Sequence, residues 1–360
     1  MNILMDFHHQ DLFYSSQLLF EKRLGGTCLR QIGLEWYKEG FWNVYPSPDT
    51  AEQFLGLHQG YKPKDGTLPL NDIAGKPLKI VSEGDNVFYT EKNTEVYVCE
   101  DKHNNTFNKA ITLKGFKETP IDIVIASIPQ HIKPYQELAR MKGAKFIFQM
   151  GNVFPEVNLN EIPNLMANTL PQNIPPTCNY IQYHQEIDLN IFKPSDLPPT
   201  RLITNFINIL GRNNGYTDYL SLKAEMPDWE FKSYGAQNDD GVMDTTEQIA
   251  LQMQRSAWGF HSKAMGDGFG HILYDWFAVG RPIITRMSDY KGKMGEELMV
   301  DGETILDLDK HNYNEIYSFI NSLPPFKYEW MCQRVREVFS SKVNYEDEAV
   351  KIKEFLSKLK

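Results

Sequence analysis

Apolar residues form short continuous runs in the first half of the chain, separated by stretches where they recur at helical spacing. The runs Ile121–Ser127 and Lys145–Gln149 are typical of strands buried in a parallel sheet, and Pro134–Lys142 between them has helical spacing. The run Asn2–Phe7 predicts a further buried strand, and Asp11–Lys38 is predicted to be helical, with a glycine interruption. This order predicts a crossover unit, whose loops at the carboxyl ends of the strands bind ligands in open α/β sheets.

The same order restarts after the proline-dense segment Lys193–Pro199, which is typical of an exposed connector. The pattern predicts strands near Arg201–Ile207 and Trp229–Tyr234, each followed by a helix, near Thr217–Glu225 and Thr245–Gln254. We therefore expect an α/β protein with two successive domains. The expected divisions are 1–195 for the first domain, 196–335 for the second and 336–360 for a C-terminal helix.

Composition and charge exclude several classes of protein. Of the 360 residues, 41% are hydrophobic and 23% are charged, which is typical of a globular chain. The balance of 37 Lys and Arg against 47 Asp and Glu gives a net charge of -10, which disfavours nucleic acid and anionic lipid as partners. No run approaches the roughly 18 apolar residues of a membrane helix, and the four cysteines form no Cys-x-x-Cys pair. We expect a cytoplasmic protein without a membrane span.

The stretch 262–285 carries the most informative chemistry. It predicts a glycine-flanked loop, a helix over Gly270–Val279 and a buried strand over Pro282–Thr285. Asp267 lies just before the helix, whose free amides and positive dipole end favour an anion such as a phosphate. Asp275 lies within the helix. Taken alone, the two acids are equally consistent with an N-terminal cap and a solvated helix residue.

The same stretch resembles the donor-site signature of GT-B glycosyltransferases, especially glycosyltransferase family 4. That signature has an acid, a Pro/Gly-Phe-Gly turn, a second acid after seven intervening residues, and then Ala-x-Gly-x-Pro-Val-Ile. Asp267-Gly-Phe-Gly, Asp275 and Ala278–Ile284 are in register with it, with Asp in place of the usual Glu. Downstream, Gly295–Glu303 is similar to the family's Gly-x-Glu-x-x-x-Asp-Gly segment. The resemblance is specific over Arg201–Leu308.

The resemblance implies a GT-B fold, with two Rossmann-like domains facing a cleft and a C-terminal helix returning to the first domain. It implies that Asp275 binds the ribose diol of a nucleotide sugar, since a carboxylate accepts two hydrogen bonds from adjacent hydroxyls. It also implies that Asp267 contacts the transferred sugar. The donor-binding residues that it assigns are Gly266, Gly268, Phe269, Gly270, His271 and Asp275.

The leaving diphosphate requires fixed positive charge when no metal ion is present. The family supplies an Arg and a Lys. Arg212, in Gly211-Arg212, resembles the family's Gly-Arg, but the Lys expected about five residues later is missing from Asn213–Thr217. Lys263 is placed to compensate, because it lies near the predicted helix N-terminus. The alternative for both residues is an ordinary surface charge, and Lys263 is the better candidate because it lies nearer the predicted helix N-terminus.

The first domain departs from the family pattern. His8-His9-Gln10-Asp11 follows the first strand where family members often have a glycine-rich loop, and Gln149 replaces a strand-end histidine. His131, on the loop after the preceding strand, is a candidate for the missing polar contact, although a lone loop histidine is more often structural.

The expected function is the transfer of a hexosyl or pentosyl group, with retention, from a nucleotide diphosphate sugar. The expected acceptor is a glycan, a protein or a small molecule, and no cofactor or metal is expected. Two alternatives stay open: a nucleotide-sugar 2-epimerase of the same fold, and a catalytically silent GT-B-like binding protein. The second is favoured by the shorter acids and the missing Lys.

Overall fold

The computed structural model describes residues 1–7, 9–31, 36, 39, 41, 79–83, 86–90, 96–195, 198–263 and 268–360. These residues form two compact units. The first unit contains the described residues within 1–167, 171–186 and 349–360, and the second contains those within 168–170 and 187–348. Each unit has an α/β arrangement built on one sheet.

The sheet of the first unit has ten strands among the described residues. At its centre, β1 (Asn2–Met5) lies parallel to β7 (Ile123–Ala126), with Leu4 opposite Val124. The other strands are β2 (Thr27–Gln31), β3 (Lys79–Glu83), β4 (Asn86–Thr90), β5 (Val96–Asp101), β6 (Thr106–Ile111), β8 (Lys145–Met150), β9 (Asn164–Ala167) and β10 (Asn179–Gln182). Their spatial order is β10-β9-β8-β7-β1-β2-β6-β5-β4-β3. Strands β10 to β6 pair in parallel, and β6 to β3 pair antiparallel.

Helices cover both faces of this sheet, so successive residues of β1 enter different cores. Leu4 packs in a cluster with Phe116 and Leu138, whereas Ile3 packs in another with Phe13. The helices are α1 (Gln10–Gln17), which continues as a π-helix over Leu18–Arg23, α2 (Leu113–Glu118) and α3 (Ile132–Lys142).

Most of the pattern-based predictions for this unit are confirmed. The predicted strand, helix and strand between 121 and 149 are β7, α3 and β8. The helix predicted over Asp11–Lys38 is wrong for its second half, because Thr27–Gln31 forms β2 beside β1. Gly25, at a φ of 67°, lies between the helical segment and the strand. Residues 32–35, 37 and 38 of that prediction lie outside the described residues.

In the described part of the second unit, the sheet has five strands, all parallel, in the order β12-β11-β13-β14-β15. Its strands are β11 (Thr200–Asn205), β12 (Glu230–Ser233), β13 (Ser256–Phe260), β14 (Ile283–Thr285) and β15 (Ile305–Asp307). Its helices are α4 (Gly215–Glu225), α5 (Thr246–Arg255), α6 (His271–Val279), α7 (Tyr313–Ser322) and α8 (Pro325–Lys342). The strand and helix order predicted from residue 201 onward is confirmed.

The last helix, α9 (Tyr345–Ser357), supplies apolar residues to the first unit. Ala349, Ile352 and Phe355 are buried in the same cluster as Ile3. The backbone amide of Lys360 donates a hydrogen bond to Asn164 at 3.0 Å. Within the described ranges, every helix is too short or too polar to cross a lipid bilayer.

Candidate functional site

The loop after β13 leaves the carboxyl end of the second unit's sheet, the edge at which open α/β sheets bind ligands. The amide of His261 donates a hydrogen bond to the carbonyl oxygen of Ile284 at 3.0 Å, and the hydroxyl of Thr285 donates one to the carbonyl oxygen of His261. His261 and Ser262 are buried, and Lys263 is partly exposed. These hydrogen bonds fix the start of the loop, just before Lys263, to the neighbouring strand β14. The next residues, including the predicted Gly266 and Asp267, lie outside the described residues.

Arg212 lies on a second loop at the same edge. It is an exposed residue of the 3-10 turn Leu210–Arg212, which follows β11, and β11 pairs with β13. Gly215 begins α4 shortly after this turn and packs closely against the backbone of Ser262. The two predicted cations, Arg212 and Lys263, thus follow neighbouring strands, beside the amino terminus of α4.

Asp289, in the 3-10 turn that follows β14, contacts both of these loops. The hydroxyl of Ser262 donates a hydrogen bond to its Oδ2 at 2.8 Å, and the side chain of Asn214 also bonds to it. Burial raises the pKa of the Asp289 carboxyl, and the hydrogen bonds from Ser262 and Asn214 oppose that rise. The sequence analysis missed Asp289, although it follows the predicted strand Pro282–Thr285.

The glycine loop before α6 is fixed by contacts with the helix that it precedes. Gly270, at a φ of 77°, is the N-cap of α6, and the ring of Phe269 stacks on that of Tyr274 at 4.2 Å between centroids. Gly268, Phe269 and Gly270 are all buried. The predicted loop thus presents its backbone, rather than long side chains, at the start of the helix.

Asp275 is buried, with 2% of its surface exposed. The interpretation of Asp275 as a solvated helix residue is therefore wrong. The helix packs nearly all of its residues into the core, so position 275 is covered by its neighbours. His271, one turn earlier, places its Nε2 atom 3.8 Å from Asp275 Oδ1.

The segment 295–303 packs against α6. The hydroxyl of Tyr274 donates a hydrogen bond to Glu297 Oε1 at 3.0 Å, and burial raises the pKa of Tyr274 well above its ordinary value. A Cβ atom at Gly295 would lie 3.0 Å from Leu273. The glycine and the glutamate that resemble the family pattern are therefore both in contact with this helix.

In the first unit, His131 is buried at the carboxyl end of β7, where its Nδ1 atom lies 2.8 Å from Asp6 Oδ2. Sequence reasoning selected His131 but missed Asp6. Gln149, near the end of β8, is buried as well, and its amide donates a hydrogen bond to the hydroxyl of Tyr183. These residues belong to the first unit, whereas Arg212, Lys263 and Asp275 belong to the second.

Within the described residues, no three His, Cys, Asp or Glu side chains are grouped so as to hold a metal ion. Metal independence stays a prediction.

The chain has the GT-B fold, because each unit is an α/β arrangement built on one sheet and the solved structures that match it are GT-B glycosyltransferases. Among solved structures, HepE of Anabaena in complex with UDP and glucose matches with a TM-score of 0.60 and 11% identity, over 100% of both chains. A glycosyltransferase from Rickettsia africae ESF-5 matches with a TM-score of 0.59 and 11% identity, over 99% of this chain and 98% of that one.

The pneumococcal O-GlcNAc transferase GtfA, in complex with UDP and GlcNAc, matches with a TM-score of 0.57 and 10% identity, over 99% of both chains. No protein-family model matches the chain, and no curated protein gives a significant match. Similarity at this identity establishes a shared fold, so membership of glycosyltransferase family 4 stays a prediction.

Proposed function

We propose that the protein is a glycosyltransferase, which moves a sugar from a nucleoside diphosphate sugar to an acceptor. The observation that carries this proposal is the similarity, over the whole chain, to HepE, which was solved with UDP and glucose. The position of Asp275, in the helix that follows the glycine loop and in register with the second acid of the family signature, also supports it.

In this proposal the second unit binds the donor. Asp275 accepts hydrogen bonds from the two ribose hydroxyls, because a carboxylate can accept from two adjacent hydroxyls. The backbone amides of Gly268, Phe269 and Gly270 face the phosphates or the sugar hydroxyls, because the free amides of a helix N-terminus favour negative charge. Asp267 contacts the transferred sugar.

Lys263 and Arg212 supply the positive charge for the leaving diphosphate. Their positions on the loops after β13 and β11 support this role, since these strands are neighbours in the sheet. Negative charge develops on the diphosphate as the glycosidic bond breaks, and cations fixed nearby lower the barrier without a metal ion.

The finer features of the reaction are also proposed. The transferred group is a hexose, in line with the glucose and GlcNAc in the structures of HepE and GtfA. The anomeric configuration is retained, no metal is required, and the acceptor is a glycan, a protein or a small molecule in the cytoplasm. His131 contacts this acceptor.

Thermal shift with UDP-glucose, UDP-GlcNAc and GDP-mannose, each in EDTA and with Mn²⁺, tests the proposal. We expect one donor to raise the melting temperature in EDTA. At a concentration about 100 times its dissociation constant, such a donor adds about 2.7 kcal/mol to the free energy of unfolding. Release of the nucleoside diphosphate then establishes turnover. Binding without turnover would favour the silent binding protein, and conversion of the donor to its 2-epimer would favour the epimerase.

A further inference from the structure

Ile209 has a left-handed backbone conformation, with a φ of 51° and a ψ of 53°. A β-branched residue is rarely found in this region, because its side chain crowds the neighbouring backbone there. Ile209 lies in the loop after β11, immediately before the 3-10 turn Leu210–Arg212. Strained residues of this kind persist only where the surrounding structure holds them, and they are most common at functional sites.

The loop after β12 supplies the contacts that hold Ile209 in this conformation. The backbone amide of Ile209 donates a hydrogen bond to the carbonyl oxygen of Ala236 at 2.9 Å. The next amide, that of Leu210, donates to Oδ1 of Asn238 at 2.9 Å. The side-chain amide of Asn238 donates in turn to the carbonyl oxygen of Ile207 at 2.7 Å. One asparagine side chain is thus bonded to the backbone on both sides of Ile209.

The conformation of Ile209 determines the turn that carries Arg212. The carbonyl oxygen of Ile209 accepts hydrogen bonds from the backbone amide of Arg212 at 2.9 Å and from the side-chain amide of Asn213 at 3.1 Å. Rotation of Ile209 into a right-handed or extended conformation would turn this carbonyl group away and release both bonds. The side chain of Arg212 is exposed and makes no hydrogen bond or ion pair with the residues that the structure describes. The backbone of the turn therefore determines where the guanidinium group lies.

Most backbone amides of this loop are already bonded within the protein. Successive amides next to a left-handed residue can form a concave anion-binding site. Here the amides of Ile209 and Leu210 donate to the loop after β12, and those of Arg212 and Asn213 donate within the turn. A phosphate at this loop would therefore depend on the guanidinium group of Arg212.

We propose that Asn238 is a positioning residue for Arg212, and that it acts by holding Ile209 in its left-handed conformation. The inference rests on the proposed function, because it takes Arg212 as a cation for the leaving diphosphate. Asn238 then contributes to the rate of sugar transfer through the backbone of the neighbouring loop and not through contact with the donor.

The strain at Ile209 is tested first, without any substrate. Ile209→Gly and Ile209→Ala both remove the branched side chain and differ from each other by one methyl group. Glycine adopts the left-handed region freely, whereas alanine does not. We expect Ile209→Gly to have the higher melting temperature, which reverses the usual order of the two residues. A higher melting temperature for Ile209→Ala would overturn the proposal, even if variants of Asn238 fail to fold.

The role of Asn238 is tested by release of the nucleoside diphosphate with water as the acceptor. The donor is whichever of UDP-glucose, UDP-GlcNAc and GDP-mannose stabilises the wild type. We expect Asn238→Ala to lower turnover at saturating donor by up to about 10²-fold, because a displacement of about 1 Å can cost that much. Donor affinity should change less, since the charge on the diphosphate grows as the sugar leaves. Wild-type turnover in Asn238→Ala would overturn the proposal.

Asn312→Ala is the matched control for a loss of stability. Asn312 forms the capping box of α7, in the same unit, through its hydrogen bond with Glu315. Its replacement should lower the melting temperature, because a helix cap is lost, and leave turnover unchanged. A similar loss of turnover in Asn312→Ala and Asn238→Ala would mean that destabilisation alone explains the effect, which would overturn the positioning role.

Two double variants test whether Asn238 acts through Ile209 and Arg212. Arg212→Ala removes the group that is positioned, so adding Asn238→Ala to it should cause no further loss of turnover. Ile209→Gly removes the strain, so adding it to Asn238→Ala should recover part of the rate. Effects of Asn238→Ala and Arg212→Ala that simply multiply, or an absence of recovery, would overturn the proposal.

The two proposals fail in different ways. If the wild type turns over a donor and Arg212→Ala or Asn238→Ala does so equally well, the positioning role is wrong and the proposed function stands. If none of the three nucleotide sugars stabilises the wild-type protein, the proposed function is wrong and the positioning role fails with it. The melting temperatures of the two Ile209 variants still show in that case whether the loop is strained.

Discussion

The carbonyl oxygen of Ser262 lies 2.2 Å from the point where a Cβ atom would stand at position 215. Gly215 is therefore required by the close approach of another backbone rather than by an unusual φ angle. This contact holds the amino terminus of α4 against the loop that carries Lys263. The positions of the two loops proposed to bind the diphosphate thus depend on the absence of a side chain at Gly215.

Gly215→Ala should move one of these backbones, since the added carbon cannot be accommodated otherwise. We expect the free energy of unfolding to fall by about 1 to 3 kcal/mol, the typical cost of overpacking, and donor binding to weaken as well. Urea unfolding and a donor titration measure the two effects. Gly211→Ala is the matched control, because no atom lies within 4 Å of a Cβ at that position. Equal stability of the two variants would contradict the prediction.

Asp275→Asn should weaken donor binding more than it disturbs folding, because Asn has nearly the same shape but loses the negative charge. Loss of a charge-assisted hydrogen bond costs about 1.5 to 3 kcal/mol, and isothermal titration with the stabilising nucleotide sugar measures it. Glu225→Gln, which neutralises an exposed carboxylate of the same unit, should leave the affinity unchanged. Wild-type affinity in Asp275→Asn would restrict the buried carboxylate to a structural role.

Lys263→Ala should lower turnover more than donor affinity, because the charge on the diphosphate grows as the sugar leaves. A loss on the order of 10²-fold in the rate constant is expected, measured by release of the nucleoside diphosphate at saturating donor. Lys223→Ala, which removes an exposed charge from α4, is the control. If Arg212→Ala abolishes turnover while Lys263→Ala retains it, Arg212 rather than Lys263 is the principal cation.

The stability of the protein should depend on the ionisation of Asp289. Burial raises the pKa of this carboxyl, so the folded protein binds the proton more tightly than the unfolded chain does. The contribution of Asp289 to stability therefore falls as the pH rises from the ordinary value of 3.8 through the raised value. Asp289→Asn does not titrate, so its stability relative to wild type should improve between about pH 4 and about pH 7. Urea unfolding at both pH values tests this, and a constant difference would exclude the effect.

The second unit could be predicted from sequence because its signals are local. Apolar runs gave β14, and helical spacing between Gly270 and Gly280 gave α6. The burial of Asp275 was also predictable in principle. Its neighbours from Ile272 to Val279 are apolar around nearly the whole helix, a pattern that indicates a buried rather than a surface helix.

The pair of Asp6 and His131 could not be predicted, because it depends on which strands are neighbours. Asp6 lies near the end of one apolar run that was predicted as a strand and His131 follows another, but 125 positions separate them along the chain. Only the pairing of β1 with β7 brings the two strand ends together. The strand order of a parallel sheet is set by packing between distant segments, and the pattern within each segment does not contain it.

The last helix has a consequence for how the chain folds during synthesis. Ala349, Ile352 and Phe355 complete a core that begins with Ile3, yet they are translated after all of residues 187–348. While the ribosome makes those residues, the surface that receives α9 in the first unit stays uncovered. Contacts so distant in sequence form slowly, and exposed apolar surface favours aggregation. Nascent first units therefore pass through a period in which the apolar surface that α9 later covers is exposed.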